Sequence, residues 1–288
     1  MTRQKDKLIE ELPDIQKSKD RRGISINRVG VSNIDFPIYI KTKHGEKVLC
    51  YAKVNLYSSL PHHVKGTNMS RFLETLMKYR YTSFCRWVLW KFLYDLKRKL
   101  GATDVYAEVT FKYFLDKKAP VSKKVSTMAY DCTFIGKLSN KRYTFQLRVK
   151  VPIMSLCPCS KEISRFSAHN QRGIVTVTVE TKHKGTVWIE DLIRLIEKEG
   201  SCELFPVLKR PDEKWVTEVS YENPKFVEDI ARDVSLTLQR LGTLKRFKIK
   251  VENFESIHNH NAVCYVCRVL KGNKWRQSHK SLKRFGDA

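Results

Sequence analysis

At 288 residues, with 42% hydrophobic and 11% aromatic side chains, the chain can bury a core in one large domain or two small ones, which excludes global disorder. No window approaches the ~20 consecutive apolar residues of a membrane span, and the N-terminus, MTRQKDKLIEELPDIQKSKDRRG, lacks a secretory apolar run. A cytoplasmic protein follows, its eight cysteines reading as free thiols or ligands rather than a disulfide framework. The net charge of +25 attracts polyanions, but the excess is spread along the chain. It is denser only at 17–22, 117–124 and 271–284, and no nucleic-acid-binding signature accompanies it.

Residues 1–22 are polar and read as a flexible arm. Apolar alternation over 33–41 and 47–57 predicts two strands joined at KHGEK. After the loop SSLPHHVKGTN, Ser70 is placed as the N-cap of a helical stretch running to Leu100, broken near 80–84. Strands return at 104–114 and near 126–137. A second half follows the same plan, with strands at 143–151 and 173–181, helices at 187–199 and 223–241, and strands in RFKIKVENF and AVCYVCRVL. The order ββααββ twice predicts an α+β fold, antiparallel sheet with helix pairs on one face. The division is an arm (1–22), a first unit (23–138), a second unit (139–272) and a basic tail (273–288).

The densest chemistry lies in SLCPCSKEISRFSAHNQRG (155–173). If the chain stays extended through CPC, Cys157 and Cys159 point to one side, and His169 can return to the same sheet end. Glu203 in GSCELFP is a third candidate. Thiolate, imidazole and carboxylate with an open fourth position is a catalytic metal pattern, whereas a closed structural zinc site needs four ligands. A redox-inert CxC loop beside a hydrogen-bonded histidine is the alternative reading. Cys264 and Cys267 face opposite ways along an apolar strand and read as core thiols. In VENFESIHNHNA (251–262), His258 and His260 are either a metal pair or loop residues. Glu255 can accept two parallel donors, the pattern that a guanine N1–H and 2-amino group present. Glu218 in WVTEVS is a possible acid or base, or else an exposed charge before a helix. Lys65–Gly66 ahead of a helix start can hold phosphates, although it is no Walker A loop.

Together LPDIQ (12–16), KGTNMSRF (65–72), CPCSKEIS and SAHNQRG within 157–173, SCELFPVLKRPDEKWVTE (201–218), ENPKFVEDIARDV (222–234) and NFESIHNHNA (253–262) resemble the type IB GTP cyclohydrolases. The resemblance spans nearly the whole chain. It implies tunnelling-fold units that assemble into oligomeric barrels, here a homotetramer with active sites at subunit interfaces. It further implies conversion of GTP to formate and 7,8-dihydroneopterin triphosphate, the first step toward tetrahydrofolate. One divalent metal (Zn, Mn or Fe) per site is expected, with Cys157, His169 and Glu203 as ligands and a metal-activated water attacking purine C8. Cys159, Glu218 and His258 would be catalytic. Glu255 would anchor the guanine, and Lys65, Arg71 or Arg172 would draw in the triphosphate. One departure stands out: Asn68 occupies the place of a histidine in the family's KGTHMSRF. Rival readings are a nitrile reductase of queuosine synthesis, an archaeal-type cyclohydrolase giving a cyclic phosphate, and a basic nucleic-acid-binding module with structural zinc.

Overall fold

The computed structural model describes residues 15–140, 142–182 and 185–278. In the first half, β1 (Ile26–Lys41) and β2 (Lys47–Leu60) form a long hairpin, followed by α1 (Ser70–Met77), the two-residue β3 (Ser83–Phe84), α2 (Arg86–Leu100), β4 (Asp104–Lys118) and β5 (Val125–Ser139). The second half runs β6 (Arg142–Leu156), α3 (Pro158–Ile163), β7 (Asn170–Thr181), α4 (Ile189–Glu197), α5 (Arg210–Glu222), α6 (Val227–Arg240), β8 (Leu244–Asn253), β9 (Ala262–Lys271) and β10 (Lys274–Gln277). The ten strands of the described residues join in one sheet, ordered β10-β9-β8-β7-β6-β5-β4-β2-β1-β3. Every pairing is antiparallel except the short β1–β3 contact. The β5–β6 ladder, with Phe134 opposite Leu147, fuses the halves into a continuous surface.

Alternation decides which face is covered. Ala52, Val54 and Leu56 of β2, Val105, Ala107 and Val109 of β4, Val149, Val151 and Ile153 of β6, and Val175 and Val177 of β7 are buried on one face. Against it lie Leu89, Phe92, Leu93 and Leu96 of α2, Leu192, Ile193 and Ile196 of α4, and Ile230, Val234 and Leu238 of α6. Each such side chain contributes about 1.5–3 kcal/mol by leaving water. Helix α2 approaches so closely that a Cβ on Gly136 of β5 would meet Leu93 Cδ1 at 2.8 Å and Leu89 Cδ2 at 2.9 Å.

Two expectations change. Ser70 is the first helical residue rather than the cap, and its hydroxyl donates to Asn68 Oδ1 at 2.7 Å. Among the described residues the second half also carries four helices, not a pair, because besides α4 and α6 the segment PCSKEI forms the short α3 and RPDEKWVTEVSYE forms α5. That segment buries only Asp212, Val216 and Ser220, too little apolar surface to give a helical stripe. Its helix-start signature was nonetheless present, a proline in the first turn followed by Asp212 and Glu213.

At the ends of the described chain, the backbone of 16–20 hydrogen-bonds to that of 63–66, as in Gly66 N to Gln16 O at 3.0 Å. Residues 274–277 of the expected tail pair with β9. The rest of the arm and tail, 1–14 and 279–288, lies outside the described residues. Among the described residues no helix is long and apolar enough to cross a membrane.

Candidate active site

The end of the β6–β7 ladder builds the densest cluster of expected site residues. Pairing runs to Leu156 opposite Asn170, so the next residues, Cys157 and His169, fall side by side, and Cys157 N donates to His169 O at 3.1 Å. The chain does not stay extended through CPC. Pro158 opens α3, where its fixed φ suits a first helical turn, and Cys157 becomes the N-cap, its Sγ accepting from Ser160 N at 3.4 Å. Cys159 therefore sits on an exposed helical turn rather than beside Cys157 on one strand face. Ser160 completes the stitch: its hydroxyl donates to Cys157 O and accepts from His169 N, each at 3.2 Å.

Two further segments flank this point. On one side Ser201–Glu203 runs along β6, with Met154 N donating to Cys202 O at 3.1 Å and Leu156 N to Ser201 Oγ at 3.0 Å. Glu203 is half-buried and pairs with Lys117 Nζ through Oε2 at 3.0 Å. Lys117, 8% exposed at the end of β4, also meets the buried Glu197 of α4 at 2.8 Å. Glu197 in turn accepts from Tyr130 Oη at 2.6 Å. Burial, reinforced by Glu197, pushes the Tyr130 phenol well above its ordinary pKa, so it stays a donor. Burial likewise lifts the Cys202 thiol to about 11, keeping it protonated beside Glu203.

On the other side the loop 254–261 leaves β8 next to the start of β7, with Phe254 N donating to Arg172 O at 2.9 Å. Ser256 Oγ lies 3.5 Å from His169 Nδ1. That contact brings the stretch holding Glu255 and His258 against the Cys157–His169 pair. Glu255 is half-buried, while His258 is exposed and stacks on His260 with ring centroids 4.9 Å apart.

The remaining expected residues stand elsewhere. Glu218 is exposed within α5, not before a helix, and lies 3.8 Å from Lys214. Lys65 is exposed in the loop after β2. Arg71 donates from Nη1 to Lys99 O at 3.2 Å, where it satisfies the end of α2. Arg172 is exposed at the start of β7, beside the cluster. Cys264 is half-buried and Cys267 buried, on opposite faces of β9, and no disulfide joins any of the eight cysteines. Sequence reading missed Lys117 and Gln171. The second had a visible signal, a polar residue at the inward parity of β7, in line with Val175 and Val177.

The donor chemistry suits a divalent ion. Cys157 offers a thiol. His169 engages Gln171 Oε1 through Nδ1 at 3.0 Å, leaving Nε2 available, and Glu203 uses one oxygen on Lys117 and keeps the other. Three donors of this kind match an open catalytic site rather than a closed structural one. Among the described residues, however, no three His, Cys, Asp or Glu side chains already stand close enough together to hold an ion.

A broad antiparallel sheet with helices on one face places the molecule in an architecture shared with uricases. The Arthrobacter globiformis uricase superposes with a TM-score of 0.57 at 7% identity, covering 89% of this chain and 97% of that one. At such identity the likeness concerns the fold alone. Sequence is more specific: the family described as type I GTP cyclohydrolase folE2 matches residues 12–264, and the chain belongs to that family. Similar relatives include GTP cyclohydrolase FolE2 of Geobacter sulfurreducens, 49% identical over 255 residues and covering 88% of this chain and 97% of the relative. GTP cyclohydrolase FolE2 of Thermosipho africanus is 46% identical over 254 residues, covering 88% and 96%.

Proposed function

We propose that this chain is a cytoplasmic type IB GTP cyclohydrolase, hydrolysing GTP to formate and 7,8-dihydroneopterin triphosphate at the entry to tetrahydrofolate biosynthesis. The observation that carries the reading is the junction of Cys157 and His169 with the loop of Glu255 and His258, in a chain of that family. Glu255, half-buried beside the junction, accepts the guanine N1–H and 2-amino group and so sets the purine's orientation. Arg172, exposed at the same sheet end, attracts the triphosphate, and Lys65 and Arg71 add to that field from elsewhere in the assembly.

Cys157, His169 and Glu203 would hold one zinc, manganese or iron ion, which when bound supplies Lewis-acid chemistry that readies a water for attack at purine C8. Water addition at C8 opens the imidazole ring, and a second water releases that carbon as formate. The ribose-derived chain then recloses on the freed amine with loss of one water, so one water is consumed overall. These steps need protons delivered to the ring nitrogens and removed from the ribose carbons. His258, Glu218 and the Cys159 thiol are the groups assigned to that traffic.

Among the described residues, Glu218, Lys65 and Arg71 make no hydrogen bond or ion pair with Cys157 or His169. This supports a barrel-like homotetramer in which sites form between subunits. The two ends of the sheet support it too, since among the described residues the outer edge of β1 pairs with no strand but the two-residue β3, and the outer edge of β10 pairs with none.

The test is incubation of chelator-stripped protein with GTP, with and without added Mn²⁺ or Zn²⁺, following formate and, after oxidation, pterin fluorescence. Metal-dependent appearance of both products is expected. Folded protein that yields neither product with any metal would overturn the reading, and a cyclic phosphate product would move it to the archaeal type.

A further inference from the structure

Beneath the Cys157–His169 pair runs a file of buried polar side chains that the reaction itself does not use. Ser155 of β6, Gln171 of β7 and Asn253 of β8 are 1%, 8% and 2% exposed. They share the inward parity of Ile153, Val175 and Val251, and so continue the apolar core up to the site. Polar groups so deeply buried cost stability unless each is bonded.

The direction of every bond in the file is determined. Lys225 O can only accept, so the Ser155 hydroxyl donates its single hydrogen there, at 3.0 Å. The Ser155 oxygen then accepts from Gln171 Nε2 at 3.4 Å and from Asn253 Nδ2 at 3.0 Å. Reversing the Gln171 amide would set its Oε1 against an oxygen whose hydrogen is already committed. Its Oε1 therefore faces His169 Nδ1, 3.0 Å away, and a carbonyl oxygen accepts only, so Nδ1 carries the ring hydrogen. The Ser256 hydroxyl, 3.5 Å from the same nitrogen, rotates to accept as well. Asn253 is itself held by crowding. Its Oδ1 is buried without a hydrogen-bond partner among the described residues, and a Cβ on Gly173 would come within 2.4 Å of it. Glycine at 173 is thus what lets Asn253 reach Ser155.

We infer that Gln171, oriented by Ser155 and Asn253, is a positioning residue that holds His169 in the Nδ1–H tautomer with Nε2 presented at the site. The clause that Nε2 then meets a metal rests on the proposed function; the tautomer does not. Outer partners of this kind fix ring orientation and ligand strength in metal sites generally.

The test begins on metal-free protein with ¹⁵N-labelled histidine, the His169 signals being identified by their loss in His169→Ala. The unaltered protein is expected to show a protonated Nδ1 and an unprotonated Nε2. In Gln171→Leu, which keeps the bulk but not the acceptor, the ring is expected to shift toward the Nε2–H form, and Zn²⁺ affinity, measured by chelator competition, to fall about 10–100-fold. Gln171→Glu keeps an acceptor for Nδ1–H and gives up only the bond to Ser155 Oγ. Tautomer and affinity should both be restored. An Nε2–H ring in the unaltered protein, or an unmoved tautomer in folded Gln171→Leu, overturns the inference. Should Gln171→Leu fail to fold, the unaltered protein and Gln171→Glu still decide the tautomer. The expected tautomer with no Zn²⁺ binding in any variant would uphold the inference and defeat the metal reading instead.

Discussion

The two halves of the sheet repeat one strand plan and end their hairpins in opposite ways. In the first half, β1 turns into β2 through 42–46, where Thr42 N donates to Glu46 O at 2.9 Å and Gly45 N to Thr42 O at 3.0 Å. The matching connection in the second half, 157–169, is longer and folds α3 into itself. There the Ser160 hydroxyl joins the backbone bonds from Cys157 N to His169 O and from Lys161 N to Cys157 O in holding the connection. The pattern recurs one hairpin later, where the turn 119–124 is clamped by Asp212 while the loop 254–261 carries Glu255 and His258. A short turn leaves little room for side chains that do chemistry. A longer connection on the same rigid ladder leaves more.

The sharpest way to break this comparison is to truncate a histidine in each of the matching connections. His169→Ala should abolish bound metal and lower turnover by more than the ~10–100-fold typical of an outer partner. His44→Ala, exposed in the first-half turn, should leave formate release unchanged and stability within about 0.5 kcal/mol. Equal losses in both would mean that the second-half connection has no special role. Glu255→Gln replaces a two-way acceptor with a group that opposes one purine donor. KM for GTP should rise roughly 10–100-fold, as expected for a hydrogen bond to a charged group worth ~1.5–3 kcal/mol, with metal content unchanged by elemental analysis. Normal GTP binding in that variant would give the purine another anchor.

Lys117→Met probes the point where the halves cooperate, because a first-half lysine steers a second-half carboxylate. Removing it frees Glu203 and leaves the buried Glu197 with Tyr130 as its one hydrogen-bond partner among the described residues, and breaking a buried pair costs ~3–5 kcal/mol. Both melting temperature and Zn²⁺ affinity should fall. A lower melting temperature with unaltered affinity would limit Lys117 to a structural role.

What could be read from sequence follows the range of the interaction involved. Strand alternation is local, so the hairpins of both halves were legible, as was the return of His169 to the Cys157 end. Helix α5 was not, since three buried residues leave no stripe to read. The bend at Pro158 has only a weak signal, since CPC is equally compatible with an extended chain, although proline suits a first helical turn. Lys117 could not be found by spacing at all, for its contact with Glu203 depends on β6 running past the end of its pairing with β5 at Lys150, where Met154 bridges to Cys202.

The smallest effect on chemistry, and the cleanest test of how the quiet half is held, belongs to Asp212. Its buried carboxylate accepts from Val121 N and Ser122 N at 2.8 Å, from Ser122 Oγ at 2.6 Å and from Lys209 N at 2.8 Å. One side chain thus ties the 119–124 turn to the start of α5. Burial alone would raise its pKa, but the hydrogen bonds from Ser122, Lys209 and Val121 outweigh burial and hold the carboxyl well below the ordinary range. A carboxyl depressed in the folded state contributes stability above its unfolded value of about 4, and that contribution disappears as pH falls toward the folded value. Asp212→Ala should therefore melt several degrees below the unaltered protein at pH 7 and by the same margin at pH 6. The gap should narrow below about pH 4, as the unfolded carboxyl takes up its proton. Turnover per folded molecule at 25 °C should barely change. A gap that stays constant to pH 3 would show that an ionised Asp212 is not the clamp, and a large loss of turnover would mean that the first-half turn reaches the site after all.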